Sequence, residues 1–182
     1  MTIPTFHVFI ATSLDGFIAR PDGGLDWLAA FQGEGDNGYG EFISGIDAIV
    51  MGRGTYLTVL GFGDWPYALP VVVMSRTLAP DGLPPSLRGK VEITADGPET
   101  LARRLGQRGL RRVYVDGGLL VQSFLRAGLV TDMAIFRMPV LLGAGRPLFG
   151  PLDQDIRLET VSATVLPTGA VRTDYRVPAS PR

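Results

Sequence analysis

The sequence predicts an α/β fold: a mostly parallel central sheet, helices on both faces and an antiparallel C-terminal edge hairpin. Three observations predict it. Short apolar runs rich in Val and Ile recur along the 182 residues, as strands covered on both faces do. Helix-like stretches separate them, and alternation of strand and helix favours parallel strands joined by right-handed crossovers. The last two runs flank Pro167-Thr168-Gly169, a turn signal that makes neighbours antiparallel.

Each element has its own reason. Strands are expected at Phe6–Ala11, Asp47–Met51, Pro70–Ser75, Lys90–Thr94, Arg112–Val115, Thr131–Met138, Ile156–Leu166 and Ala170–Val177. Helices are expected at Asn37–Ser44, Thr55–Leu60, Pro98–Gln107 and Gly118–Ala127. Pro98 suits a first helical turn, and Glu99 beside it suits the positive end of the helix dipole. Gly128 stops the fourth helix. Trp27 and Phe31 are expected to anchor a long loop before the first helix. The chain reads as one domain over residues 1–178, with a loose tail at 179–182.

Composition narrows the function. Apolar residues make up 46% and charged residues 19%, so the chain can bury a core and is not a disordered segment. A net charge of -1 argues against nucleic acid. With no cysteine and one histidine, His7, thiolate chemistry is excluded and a metal centre is not expected. No apolar run approaches a membrane span and no leader is visible, so a cytoplasmic protein without membrane contact is expected.

Chemistry gathers at three strand ends. Met51-Gly52-Arg53-Gly54-Thr55-Tyr56 follows a strand and opens a helix, Ser75-Arg76-Thr77 ends another strand, and Asp116-Gly117-Gly118 ends a third. Glycines let backbone approach a ligand, and a helix start offers N–H groups to phosphate. Open parallel sheets bind ligands at the carboxyl ends of their strands, so a dinucleotide across these three ends is one reading. Each motif alone also reads as a turn or a surface charge; Asp116 in particular reads as a turn or cap residue. A full GxGxxG and a Walker A sequence are both missing, which argues against an ordinary Rossmann or P-loop site.

The ordered set Ala11-Thr12-Ser13-Leu14-Asp15-Gly16-Phe17-Ile18-Ala19, Asp47 to Tyr56, Ser75-Arg76-Thr77, Asp116-Gly117-Gly118 and Leu142-Gly143-Ala144-Gly145-Arg146-Pro147-Leu148-Phe149 resembles the dihydrofolate reductase-like superfamily. The nearest branch shares the reductase domain of bacterial riboflavin biosynthesis, and the likeness runs from about Phe6 to Val177. The resemblance implies a three-layer dihydrofolate reductase-like fold, NADPH as cofactor, and a homodimer as in many relatives. It assigns Gly52, Arg53, Gly54 and Thr55 to the phosphates, and Ser75 and Arg76 to the adenosine 2′-phosphate, a dianion that a permanently charged guanidinium suits. It assigns Gly117 and Gly118, with Leu119 beside them, to the cofactor near its pyrophosphate, and Ala11 and Ile18 to the nicotinamide. In folate reductases the glycine pair is joined by a cis peptide.

On the substrate side, the resemblance aligns Asp36 with the folate reductases' catalytic acid, expected to be buried against a pterin-like edge. The local sequence Glu34-Gly35-Asp36-Asn37-Gly38 equally reads as a loop with Asp36 as a helix cap. Arg137 stands where folate reductases place a threonine, and is a candidate cation for an anionic substrate or an outward-facing strand residue. Trp65, in the aromatic loop Asp64-Trp65-Pro66-Tyr67, is a candidate substrate contact or a packed loop residue. Phe9 replaces the lysine of riboflavin-pathway reductases, and Tyr56 to Gly61 replaces their aspartate–asparagine–proline segment, which disfavours a phosphoribosyl substrate. The leading expectation is an NADPH-dependent reductase acting on a small pterin-like or pyrimidine-like heterocycle. The alternatives are a nucleotide- or pterin-binding protein that keeps the fold without the reaction, and a true dihydrofolate reductase.

Overall fold

A computed structural model describes residues 2–179 apart from Gln32, Glu34 and Gly35, and apart from the side chain of Pro80. Of the expected loose tail, residues 180–182 lie outside the described residues, as do Glu34 and Gly35 of the expected loop.

The strands are β1 (Thr5–Thr12), β2 (Phe17–Ala19), β3 (Ala48–Gly52), β4 (Val71–Met74), β5 (Val91–Thr94), β6 (Arg112–Asp116), β7 (Val130–Arg137), β8 (Arg146–Pro147), β9 (Glu159–Val165) and β10 (Val171–Arg176). The α-helices are α1 (Tyr39–Ser44), α2 (Arg53–Leu60), α3 (Pro98–Gln107) and α4 (Gly118–Arg126). Eight strands form one sheet in the order β5-β4-β3-β6-β1-β7-β10-β9. The first six in that order run parallel, and β10 pairs antiparallel with both β7 and β9. The α/β class, the parallel sheet and the edge hairpin match the sequence expectation.

Alternation along the strands sends side chains to two layers. Val50, Val72, Val113 and Val115 pack with Leu101 and Leu105 of α3 and with Val121 and Phe124 of α4. Ile49, Met51, Val71, Val73 and Tyr114 face the other way, against Tyr56 of α2 and the half-buried Tyr39, Phe42 and Ile43 of α1. A third cluster extends that second face beyond β1, where Trp27 packs with Ala134, Phe136 and Met138. Trp27 is buried in a short 3-10 turn, as its anchoring role requires.

The patterns miss two things. β2 and β8 form a separate two-stranded antiparallel flap, Phe17 opposite Pro147 and Ala19 beside Arg146. Strands of three and two residues carry no readable period. The strand expected from Ile156 begins only at Glu159; Ile156 instead packs from a loop onto the α3–α4 core.

Candidate active site

Segments leaving the C-terminal ends of parallel strands emerge on one edge of the sheet. β4, β3 and β6 are neighbours, with Gly52 paired to Met74 and Met51 to Asp116. The structure therefore brings Gly52-Arg53-Gly54-Thr55, Ser75-Arg76 and Gly117-Gly118 onto one rim.

The local geometry of the rim favours close approach of a ligand. Gly52 ends β3 and α2 begins at the next residue, so the first-turn N–H groups of α2 face that edge. Arg53, Gly54 and Arg76 are exposed, while Gly52, Thr55 and Ser75 are half-buried. The Ser75 hydroxyl accepts the N–H groups of Thr77 at 3.2 Å and Leu78 at 3.0 Å, which turns the chain after β4. Gly117 has φ +99°, and a Cβ there would stand 2.5 Å from Thr55 Oγ1. A side chain at Gly117 would be strained and would also push the β3 and β6 turns apart. The Gly117–Gly118 peptide is trans. A Cβ on Gly118 would meet the Pro147 carbonyl oxygen at 2.5 Å and Ile18 Cδ1 at 3.1 Å, so the flap seats directly on the start of α4. Leu119 is 82% exposed beside this turn. Ala11 is half-buried in the layer of Trp27 and Phe136.

Next to the rim lies a cluster of one acid and three phenols that the sequence expectations did not include. Tyr114 and Asp116 are two apart on β6 and project to the same face. Tyr114 is buried, and its hydroxyl donates to the Phe9 carbonyl at 2.9 Å. Part of Asp116 remains accessible, yet loss of solvation is the largest influence on its carboxyl and lifts its pKa to about 6. The Gly117 N–H and the Tyr114 hydroxyl draw it partly back. Tyr39 and Tyr67 are held above the usual phenol range, first by burial and then by the charge of Asp116. Tyr114 is raised for the same reasons, with Tyr67 and Tyr39 adding to them. One carboxyl thus sits among three phenols.

Aromatic rings pack beside this cluster. Phe9 stacks on Phe42 at 4.8 Å, packs on Phe136 at 4.7 Å and meets Tyr39 edge-on at 5.6 Å. Arg172 of β10 lies over Phe9 and Phe136 at 5.8 and 5.4 Å, paired with Asp174 at 2.9 Å.

Three sequence candidates land differently. Asp36 is exposed rather than buried, because its carboxylate accepts the N–H groups of Gly38 at 2.9 Å and Gly40 at 2.6 Å at the start of α1. Those two bonds hold its pKa below the ordinary carboxylate range. Asp36 thus fastens the turn that enters α1, whose N-cap position is held by Gly38, and the desolvated acid of this face is Asp116 instead. Arg137 ends β7 exposed, opposite Thr12 of β1 and Val171 of β10. Trp65 packs edge-on against Tyr67 at 5.4 Å and Tyr56 at 6.1 Å, as a packed loop residue would. A signal for Asp116 did exist: an acid at a strand end, two residues after a tyrosine and just before two glycines. Tyr39 and Tyr67 gave none, since only the fold brings them there.

The model of the RibD C-terminal domain family matches residues 4–172. The chain belongs to that family. Its structural neighbours are riboflavin biosynthesis reductase-like proteins of the dihydrofolate reductase-like fold. An uncharacterized Bacillus subtilis protein, YwjB, is 35% identical over 154 residues, covering 83% of this chain and 86% of its own length. A protein of Shewanella sp. PV-4, provisionally named a riboflavin biosynthesis protein, superimposes with a TM-score of 0.90 at 37% identity. That match covers 96% of this chain and 99% of the other. The Thermotoga maritima diaminohydroxyphosphoribosylaminopyrimidine deaminase/5-amino-6-(5-phosphoribosylamino)uracil reductase gives a TM-score of 0.72 at 16% identity. It covers 97% of this chain and 57% of its own, a likeness of fold alone. Among the described residues, no helix is long and apolar enough to cross a membrane.

Proposed function

We propose that this chain is an NADPH-dependent reductase that reduces a C=N or C=O bond of a pterin-like or pyrimidine-like heterocycle, with Asp116 as the proton source. One observation carries the reading: three phosphate-suited strand ends share a rim, and the last of them bears a desolvated acid. The residues fit a dinucleotide. The Gly117 position, which a Cβ would fill, leaves backbone open beside Thr55, and Arg53 and Arg76 stand exposed on the same edge. Bound there, NADPH would supply the hydride.

The chain's own groups do the rest. Gly52, Arg53, Gly54 and Thr55 hold phosphate, Ser75 and Arg76 hold the 2′-phosphate, and Gly117 and Gly118 admit the coenzyme backbone. Ala11 and Ile18 would hold the nicotinamide. The aromatic walls orient a flat substrate and exclude water. Asp116, protonated below about pH 6, would give its proton to the nitrogen or oxygen of the bond being reduced and would recover one from solvent. Tyr114 holds the carboxyl in place. Coenzyme oxidation followed by absorbance across a panel of pterins and aminopyrimidines tests this. Turnover of at least one class is expected, and no NADPH binding at millimolar coenzyme overturns the reading.

A further inference from the structure

The rim carries a third guanidinium. Arg146 lies in β8, and its side chain reaches from the flap to α2. It lies against two glycines: a Cβ on Gly54, the second residue of α2, would be 3.6 Å from Nη1, and one on Gly23 would be 3.0 Å from Nη2. Gly23 has φ +98°, so the turn there both needs a glycine and leaves room for the guanidinium. The Arg146 Nε donates to the Pro21 carbonyl at a long 3.4 Å. Among the described residues, no carboxylate forms an ion pair with Arg146.

Holding the flap does not require this side chain. The Asp15 carboxylate accepts the N–H groups of Leu142 at 3.1 Å and Gly143 at 2.7 Å, and also the Ser13 hydroxyl at 2.6 Å. The Leu148 N–H donates to the Gly16 carbonyl at 3.0 Å, and Gln122 donates to the Pro147 carbonyl at 3.3 Å. The flap is fastened from both ends, yet a full positive charge with one weak contact is left beside Gly54. β3, which leads into Gly54, is the middle strand of the three, between the Arg76 end of β4 and the Gly117 end of β6. A dinucleotide crossing those ends would bring its central phosphates, not its terminal one, to that point.

We propose that Arg146 binds the pyrophosphate of the dinucleotide and thereby ties the Pro21–Gly24 turn to the bound coenzyme. The proposal rests on the reading of the rim as a coenzyme seat. A guanidinium fork suits two phosphate oxygens at once. Because the pyrophosphate is common to NADPH and NADH, Arg146 should serve both coenzymes equally, while Arg76 should serve only the one with the 2′-phosphate.

Coenzyme fluorescence titrations of the parent, Arg146→Ala and Arg146→Lys with NADPH and NADH test this, alongside hydrogen exchange of residues 17–28. The alanine variant should bind both coenzymes about 10- to 100-fold more weakly and by the same factor, with the lysine variant between. NADPH should slow exchange over 17–28 in the parent but not in the alanine variant. Unchanged affinity in a folded alanine variant overturns the proposal, and so does a loss confined to NADPH. If the parent binds neither coenzyme, the seat itself is refuted and this inference falls with it. If the parent binds both and the alanine variant is indifferent, this inference alone falls.

Discussion

The two halves of the candidate site are built in opposite ways. On the β4–β3–β6 side the ligand-facing groups are bare backbone and exposed arginines, set within a few residues of strand ends. On the β1–α1–β6 side the polar groups are one acid and three phenols packed beside rings from β1, α1 and β7. The first half suits a charged ligand of fixed shape, held by main-chain geometry. The second suits a flat ligand and a proton transfer, held by side chains.

Substitutions can separate the halves, and the largest effect is expected at Asp116. Asp116→Asn should cut turnover about 10²- to 10⁴-fold while leaving NADPH affinity within a few-fold. Equal losses in both would join the halves into one site. The same change should stabilise the protein. The folded carboxyl has a pKa of about 6 against an ordinary 3.8, so the native state holds the proton more tightly. Stability therefore falls as pH rises through that window, and the full penalty stands above it. Denaturant melts of parent and variant at neutral pH should differ by about 2–3 kcal/mol in favour of asparagine. Below pH about 4 the difference should vanish.

Arg76→Ala should weaken NADPH binding about 10- to 100-fold with NADH little changed, as read by titration; equal weakening of both would remove Arg76 from the 2′-phosphate. Tyr114→Phe should act more mildly. The Tyr114 hydroxyl draws the Asp116 carboxyl down, so its loss should move the descending limb of the pH–rate profile upward from about 6. A downward shift would contradict the arrangement. The smallest effect is expected at Asp36. Asp36→Ala removes two hydrogen bonds at the turn entering α1 and should lower the melting temperature by a few degrees, with turnover unchanged. A large fall in turnover would return the acid's role to Asp36.

The sequence made the β4–β3–β6 rim legible because its signals are local. Gly52, Gly54 and Gly117 punctuate strand ends, and Pro98 and Gly128 bound helices that lie where expected. The acid–phenol cluster was mostly hidden. Tyr39, Tyr67 and Tyr114 come from three distant segments, and their convergence on Asp116 depends on the strand order rather than on spacing. Asp36 aligned with an acid by family resemblance, but local chemistry decided its place: two glycine N–H groups within four residues captured the carboxylate. The β2–β8 flap escaped notice because two- and three-residue strands have no period, and with it went the position of Arg146 beside Gly54.

The most direct measurement is a crystal structure of the chain soaked with NADPH. The phosphates are expected against Gly52 to Thr55 and Arg76, the coenzyme backbone over Gly117, and the nicotinamide facing the Asp116 carboxyl. A coenzyme bound on another edge of the sheet, or a nicotinamide turned away from Asp116, would contradict that arrangement.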